Sequence, residues 1–317
     1  MPMNGQVAGC RQLRPTNLWG SLHFSFAVLL TTSAVLCSLS DYRIVWFVGQ
    51  LLLAAAFLLW FALLHEAGHQ TLFRSRGANW LAGHVAGFLA LIPYSSWQPI
   101  HKLHHRWTGW QDLDPTTSVL TPRTRPAILR WIVNACWFCW IPLFALLYRL
   151  GNYWNLPRLW RLFPDRATRS KVSLCILVYL ALYFLLTFLC GPMDVAKTVG
   201  LALLLTFVAQ DLLILSQHTH IPMPISGGEK VRPWTAEQQE EYTRSLVFPR
   251  WFAQWILVNI DAHELHHAHP RVPGYYLSEL SRPTRNSMPW WLWVWRARRI
   301  RGEVLLFQNR DQTGYPI

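Results

Sequence analysis

Four long apolar runs limit what this 317-residue chain can fold into. Each run approaches the ~20 residues that a helix needs to cross a bilayer. The runs form two pairs, and only a few residues separate the members of each pair. They occupy about residues 19–38, 44–64, 172–190 and 195–216. We therefore predict an all-α integral membrane protein with four transmembrane helices in two hairpins.

Composition and charge agree with residence in a membrane. Hydrophobic residues make up 52% of the chain and charged residues 14%, whereas a water-soluble chain carries roughly 25% charged residues. The linkers inside the two pairs are neutral, with Asp41 and Arg43 in the first and Asp194 and Lys197 in the second. The formal net charge of +13 therefore lies on the other side of the membrane, which the positive-inside rule makes cytosolic. Because the basic residues form no stripe, we expect no nucleic-acid partner.

The segments between and after the pairs predict interfacial helices and a small cytosolic cap. Residues 78–95 are apolar but contain histidine, glycine and proline, which is typical of an interfacial or re-entrant segment. Residues 130–149 are apolar but crowded with tryptophan, and we place them at the periphery of the bundle. The first apolar run resembles a signal sequence, but no small-residue cleavage site follows it, so we expect a retained span. We expect one membrane domain across residues 1–317.

Histidines cluster beside these runs. Ten of the thirteen fall in four short groups, and two of these groups repeat the spacing HxxHH. In a helix, residues at i, i+3 and i+4 project from one face. The four groups are His65 with His69, His101 with His104 and His105, His218 with His220, and His263 with His266 and His267. The rest of the chain is most simply interpreted as a scaffold that brings these groups together.

Nine or ten clustered imidazoles indicate two metal ions. A single zinc ion takes three or four protein ligands, whereas two ions would receive four or five nitrogens each. Neutral imidazole suits iron, zinc, copper and nickel, so the ligand type alone does not name the metal. A site at the mouth of membrane helices favours oxidation of an apolar chain, and that chemistry needs dioxygen and a redox metal.

A membrane zinc metalloprotease is the alternative from another class of protein. The motif HExxH occurs at residues 65–69 and again at residues 263–267. In such proteases zinc binds both histidines and the glutamate acts as general base. This alternative needs only one of the groups and leaves most other histidines without a role, so we favour two metals.

Four acidic residues lie near the histidine groups. A carboxylate that accepts the outward N–H of an imidazole orients that ring toward a metal. Each of the four is equally compatible with capping a helix. These candidates are Asp112, Asp114, Asp261 and Glu264.

At these residues the chain resembles the membrane fatty acid desaturase superfamily, whose pattern is HxxxH or HxxxxH followed by two HxxHH motifs. The resemblance covers about residues 55–275 and extends to the flanks of the motifs. Residues 93–94 and Trp97 precede the second motif, and residues 273–276 follow the third. These flanks look most like those of acyl-lipid desaturases. The family fold is a helical membrane domain with four spans and a cytosolic cap.

The resemblance implies a non-haem di-iron centre that uses dioxygen to introduce a double bond into a fatty acyl chain. Two electrons would come from a ferredoxin or cytochrome b5 type donor, which we expect to be separate because no HPGG motif of a fused cytochrome b5 is present. The implied iron ligands are His65, His69, His101, His104, His105, His218, His263, His266 and His267, with His220 as the rival of His218.

Other oxidations use the same motifs, so carotenoid ketolation or hydroxylation and alkane hydroxylation stay open as alternatives. The flanking residues favour acyl desaturation over them. We expect the site on the cytosolic side and favour a bacterial inner membrane over the endoplasmic reticulum. The sequence leaves open whether a lipid, coenzyme A or a carrier protein presents the acyl chain.

Overall fold

The computed structural model describes residues 13–280 and 284–317, which are mainly helical. Two short strands, β1 (Leu246–Val247) and β2 (Met288–Pro289), pair in parallel with Leu246 opposite Met288. The helices in chain order are α1 Asn17–Ser38, α2 Arg43–His69, α3 Arg76–Leu89, α4 Tyr94–Trp107, α5 Ala127–Phe138, α6 Leu143–Arg149, α7 Leu156–Leu162, α8 Arg166–Cys190, α9 Pro192–His218, α10 Arg250–Trp255, α11 His263–Ala268, α12 Gly274–Leu277, α13 Trp290–Ala297, α14 Gly302–Phe307 and α15 Arg310–Thr313. Single turns of 3₁₀ helix lie at Ser118–Leu120 and Gln238–Tyr242, and a π-helical turn lies at Leu150–Trp154.

The helices α1, α2, α8 and α9 correspond to the four apolar runs. Each is long and apolar enough to cross a membrane, which confirms the prediction of four such helices. The structure extends α2 beyond the predicted end of its run to His69, and it extends α9 to His218. In both helices the backbone hydrogen bonds continue past the end of the apolar run. The added residues include His65 and His69 in α2 and His218 in α9.

Residues 130–149 do not form one straight span. The helix α5 and the continuous segment 143–154 meet at 117°. Trp140 adopts a left-handed backbone conformation at this bend, and Pro142 follows it. Proline cannot continue the hydrogen-bond ladder of a helix, so the bend has a local cause.

The helix α2 lies at the centre of the spanning bundle. Within the most apolar part of each helix, 67% of the residues of α2 are buried, against 22% in α1 and in α8. The helices α1 and α9 pack along α2, and an indole hydrogen bond from Trp60 to Thr31 (2.8 Å) joins α2 to α1. The outer faces of α1 and α8 carry exposed leucine, valine and phenylalanine side chains, as expected for surfaces that face lipid.

Buried polar contacts join the turn between α1 and α2 to the start of α9. The Gln50 amide donates to Ser38 Oγ (2.9 Å) and to the Thr198 carbonyl (2.8 Å). The Trp46 indole donates to the carbonyl of Lys197 (3.0 Å). Because α2 and α9 both begin at this end, their C-terminal ends meet at the opposite end of the bundle, where their histidines lie.

Candidate metal centre

Nine histidines converge at that end of the bundle in two adjacent groups. Within each group, one ring nitrogen of every histidine lies within 4.8 Å of the corresponding nitrogens of the others. The five-histidine group consists of His65, His69, His101, His105 and His266. The four-histidine group consists of His104, His218, His263 and His267.

Each HxxHH helix contributes to both groups. In α4, His101 and His105 belong to the five-histidine group and His104 to the four-histidine group. In α11 the assignment is reversed, because His263 and His267 belong to the four-histidine group and His266 belongs to the five-histidine group. Successive residues of a helix are turned by about 100°, so positions i and i+4 lie only about 40° apart while i+3 and i+4 diverge by about 100°. Both helices therefore lie between the two groups.

The contacts inside the five-histidine group run through Nε2 atoms. His69 and His101 are 2.8 Å apart, His101 and His105 3.1 Å, and His105 and His266 3.0 Å, each measured between Nε2 atoms. A neutral ring nitrogen either carries a hydrogen or offers a lone pair. If donor and acceptor nitrogens alternate along this series of four Nε2 atoms, one N–H has to donate to two neighbouring nitrogens at once. Hydrogen bonds alone therefore satisfy the arrangement poorly.

The same spacing suits nitrogens that share an ion. Metal–imidazole bonds are ~2.1 Å long, so nitrogens at right angles around one ion lie ~3.0 Å apart and tetrahedral ones ~3.4 Å. The four-histidine group shows Nε2 separations of 2.9 Å between His218 and His263 and 3.1 Å between His263 and His267. The Nε2 separations in both groups therefore suit nitrogens that bind one ion.

The electrostatics keep these rings neutral. Burial lowers the pKa of His101, His105, His263, His266 and His267, and repulsion between neighbouring imidazoles lowers each pKa further. A histidine with a lowered pKa is unprotonated near pH 7 and offers its lone pair. These five rings can therefore act as neutral nitrogen donors.

An outward hydrogen bond orients His104. Its Nδ1 lies 2.7 Å from Oδ2 of Asp114 and 3.0 Å from the hydroxyl of Thr116. Burial acts to raise the pKa of Asp114, but the charge and hydrogen bond of His104 and the hydrogen bond from Thr116 lower it on balance. The ionised carboxylate holds hydrogen on Nδ1 and turns Nε2 toward the other ligands.

The 3₁₀ turn Gln238–Tyr242 supports two more rings of the four-histidine group. Nδ1 of His218 lies 3.1 Å from the carbonyl of Tyr242, and Nδ1 of His267 lies 2.9 Å from Oε1 of Gln239. The amide nitrogen of Gln239 also donates to the carbonyl of His105 (2.7 Å), so this side chain touches both groups. Among the described residues, Nδ1 of His263 has no hydrogen-bond partner.

Comparison with known proteins identifies the family. The family model described as fatty acid desaturase matches residues 43–298. The chain belongs to the fatty acid desaturase family. This match covers both HxxHH helices and the ends of α2 and α9.

Curated relatives of this family member are similar to it at modest identity. The sn-2 acyl-lipid omega-3 desaturase (ferredoxin) of Helianthus annuus chloroplasts is 25% identical over 290 residues, which are 84% of this chain and 62% of that protein. The sn-1 oleoyl-lipid 12-desaturase of a Picosynechococcus species is 25% identical over 280 residues, or 84% and 76% of the two chains. A fatty acid desaturase of Bacillus subtilis is 26% identical over 239 residues, or 71% and 65%. The chain thus spans less than two thirds of the length of the first and third of these relatives.

The glutamates of both HExxH motifs in this desaturase-family chain are engaged by other groups. Glu66 accepts hydrogen bonds from the Thr71 hydroxyl (2.7 Å) and the Gly274 N–H (2.7 Å), and it lies 3.3 Å from Nδ1 of His65. Glu264 accepts from two backbone N–H groups, those of residues 245 (3.2 Å) and 286 (2.8 Å). Both carboxylates are buried and tie separate segments together.

Some sequence expectations for individual residues are not met. His220 belongs to neither group, because its Nδ1 contacts the carbonyl of residue 308 (3.1 Å) and its Nε2 the hydroxyl of Thr313 (2.8 Å). Asp112 accepts instead from Ser226 and Gly227 and so joins two loops.

The other two acidic candidates also do not orient an imidazole. Glu264 has the backbone partners given above. For Asp261, the backbone carbonyl accepts from the N–H of Leu246 (3.0 Å), while carboxylate Oδ1 is buried without a partner among the described residues. Of the four candidates, Asp114 is therefore the one that contacts a grouped histidine.

The sequence did not indicate that Trp97, Gly68 and Gln239 support the histidine groups. The indole of Trp97 stacks on His101 with 4.2 Å between ring centroids, and a side chain at Gly68 would place its Cβ 2.2 Å from that indole. The spacing of Gly68 between the two histidines of α2 was a usable signal, since a glycine inside a helix often marks a close approach. Gln239 lies in an irregular segment with no pattern that could have revealed it.

Proposed function

We propose that this protein introduces a double bond into a fatty acyl chain, with dioxygen as co-substrate and two iron ions held by the two histidine groups. The observation that carries the proposal is the division of nine histidines into adjacent groups of five and four at one end of α2 and α9. Membership of the fatty acid desaturase family and the names of the relatives support the same chemistry.

The residues of this chain would bind the iron ions and orient the histidines that hold them. The five-histidine group would hold one iron and the four-histidine group the other, with His104 fixed by Asp114 and His267 by Gln239. When bound, the iron pair supplies the redox chemistry that removes two hydrogens from neighbouring methylenes with dioxygen. The protein supplies position, because oxidation at one C–C pair requires the acyl chain to be held beside the metals.

The proposal includes a separate electron donor of the ferredoxin or cytochrome b5 type. One relative carries ferredoxin in its name and another, from Arabidopsis thaliana, carries cytochrome b5. The chain's net charge of +13 suits an acidic donor protein. The neutral turns at the opposite end of the bundle support a cytosolic site in a multi-pass protein, for which we propose the bacterial inner membrane.

The hydrogen bonds of Glu66 and Glu264 disfavour the metalloprotease alternative. A general base must offer a free acceptor to a metal-bound water, whereas these carboxylates accept from Thr71, Gly274 and two loop N–H groups. A zinc protease would lose activity on Glu66→Gln alone and would carry one zinc. We expect close to two irons per chain.

The decisive experiment is lipid analysis of a host that expresses the protein together with a competent electron donor. The wild type is compared with His104→Ala and with the matched control His220→Gln, which changes a histidine outside both groups. We expect new unsaturated acyl chains with the wild type and the control and none with His104→Ala. Altered carotenoids or hydroxylated chains, with unchanged acyl unsaturation, would favour one of the alternative oxidations over desaturation. No product from a protein that holds two irons would refute the proposal.

A further inference from the structure

A cavity of about 410 Å³ lies between α5, α6, α9 and α14. Ligand pockets of this kind typically measure ~300–1,000 Å³ and are mostly apolar with a few polar groups. Its walls are mainly apolar, with Val133, Phe144, Leu147 and Leu306 among them. The cavity therefore has the size and chemistry for a hydrocarbon chain.

One end of the cavity approaches the four-histidine group. Leu215 lines it and lies one helical turn before His218 on α9. Arg158 lines it as well and donates to the carbonyl of Pro115 (2.7 Å), the residue that follows Asp114 in the chain, and Asp114 contacts Nδ1 of His104. A chain that filled the cavity would thus end beside residues that support the metal centre.

Arginines line another part of the cavity. Arg123 and Arg125 lie in a non-helical segment bounded by Pro122 and Pro126. Proline fixes its own backbone and restricts the preceding residue to extended conformations. Residues two apart in an extended segment project to the same side, which accounts for both guanidinium groups reaching the cavity.

These two guanidinium groups lack an acidic partner. Among the described residues, neither Arg123 nor Arg125 forms an ion pair with a carboxylate. Arg125 is held in place by the carbonyl of Val119 and by the ring of Phe307, 4.4 Å from its guanidinium carbon. Its Nε is buried and has no hydrogen-bond partner in the part of the chain described. Burial, and then repulsion from the charge of Arg123, lower the pKa of Arg125, and an anion bound at this part of the cavity would relieve that repulsion.

The rim is otherwise neutral or basic. Arg158 also lines the cavity, but it donates to backbone carbonyls, including that of Pro115 (2.7 Å), and so fixes the rim to the turn that contains Asp114. Asp211 is the one acidic residue among the described lining residues, and its carboxylate accepts from the backbone N–H of Ala145. Arg123 and Arg125 are thus the groups left to bind an anion.

We propose that this cavity binds an acyl chain of an anionic glycerophospholipid, with the headgroup phosphate at Arg123 and Arg125. This inference rests on the proposed desaturase function, because it identifies the molecule that would carry the acyl chain to the site. A guanidinium pair binds phosphate oxygens with charge-assisted hydrogen bonds. In a glycerophospholipid the phosphate lies only a few bonds from the acyl esters. An acyl chain inside the cavity would therefore place the phosphate near the cations at its edge. In coenzyme A or a carrier protein, a long pantetheine arm separates phosphate from acyl chain.

The test compares two diacylglycerol lipids that differ only in their headgroups, with an acyl coenzyme A as the competing acyl carrier. Purified wild-type protein is exchanged into detergent with equal amounts of dioleoyl phosphatidylglycerol, dioleoyl monogalactosyl diacylglycerol and oleoyl coenzyme A, and bound lipid is measured by native mass spectrometry. The variant is Arg123→Gln combined with Arg125→Gln. The matched control is Arg161→Gln, which removes an exposed arginine that does not line the cavity.

We expect the wild type and Arg161→Gln to retain phosphatidylglycerol at least about tenfold over the galactolipid, and the double variant to lose this preference. Equal retention of the two lipids by the wild type, an unchanged preference in the double variant, or stronger binding of oleoyl coenzyme A would each overturn the inference. Metal content and melting temperature report whether the double variant is folded. If it is not, the single variant Arg123→Gln takes its place, because Arg123 is exposed.

A parallel desaturation assay with the same lipids separates the two proposals. Desaturation of all lipids at equal rates would refute the headgroup site and leave the desaturase function standing. A headgroup preference that depends on Arg123 and Arg125, without product from any lipid in the presence of a donor, would support the binding site and refute the desaturase function.

Discussion

The two histidine groups contain the same kind of side chain, but the rings are held in different ways. In the four-histidine group, three of the four rings have an outward nitrogen at hydrogen-bond distance from a protein acceptor. In the five-histidine group, within the described chain, only His65 has such a contact, and its distance to Glu66 is 3.3 Å. There Trp97 instead stacks on His101 and packs against Gly68.

The difference follows from where the rings lie in the fold. Four of the five rings come from α2 and α4, which are long helices in direct contact. Close packing between rigid helices limits the positions of these rings without hydrogen bonds. The four-histidine group draws three rings from the end of α9 and the short helix α11, and the adjoining turn orients two of them, His218 and His267. Ring orientation should therefore be sensitive to side-chain volume in one group and to hydrogen bonding in the other.

Removing one ligand from each group gives the largest expected effect. His69→Ala and His263→Ala should both reduce product formation to background, because the chemistry needs both metals. Metal content should distinguish them: His263→Ala leaves three nitrogens in its group and should fall to about one iron per chain, whereas His69→Ala leaves four and should retain more. Metal analysis of the purified variants beside His220→Gln is the measurement. Equal losses would show that the two groups do not bind independently.

A methyl group at Gly68 tests the packing of the five-histidine group. A Cβ there would lie 2.2 Å from Trp97, so Gly68→Ala must push α4 away from α2 or displace the indole from His101. Overpacking of this kind costs about 1–3 kcal/mol, and we expect a lower melting temperature and loss of iron from the five-histidine group first. The control is Gly200→Ala in α9, where nothing lies within 4 Å of the added methyl group. An unchanged melting temperature for Gly68→Ala would contradict the packing argument.

Asp114→Asn tests the hydrogen bonds of the four-histidine group. The amide keeps the size of the side chain but loses the charge that fixes His104. Substitution of such partners typically lowers metal affinity or activity about 10–100-fold, and competition with a chelator measures this change. Glu66→Gln is the counterpart in the other group. Because the contact of Glu66 with His65 is longer, we expect a smaller effect on metal affinity there, and a larger effect for Glu66→Gln would reverse the comparison.

The sequence was sufficient to predict four helices of membrane-spanning length and to identify the candidate ligands. Apolar runs of spanning length predict helices with little ambiguity, and the regular spacing of HxxHH predicts which imidazoles share a helix face. The clustering of histidines supplied His218 and His220 as candidates, and the resemblance to the desaturase superfamily favoured His218. The structure separates these two, because the left-handed backbone of His220 turns its ring toward Thr313. Metal binding by the nine residues stays a prediction.

The sequence did not reveal how the ligands divide or what supports them. The 100° turn between His104 and His105 already implied two directions, but only the positions of α2, α9 and α11 show which ring joins which group. Gln239 and Thr116 reach the site from irregular segments whose course depends on tertiary packing. The sequence has no periodic pattern there, so no local rule could have predicted these two residues.

Gln239→Ala should give the smallest of these effects and the sharpest test of the role of hydrogen bonding. Its side chain accepts at His267 and donates to the carbonyl of His105, so it connects the two groups directly. A net hydrogen bond contributes about 0.5–1.5 kcal/mol, and loss of the acceptor should speed the release of iron to a chelator severalfold with near-normal product at saturating iron. The neighbouring Gln238→Ala is the control, since Gln238 is exposed and contacts only Thr235 among the described residues. If both variants release iron at the wild-type rate, the contact with Gln239 does not orient His267. Side-chain packing would then position the rings in both groups, contrary to the comparison made above.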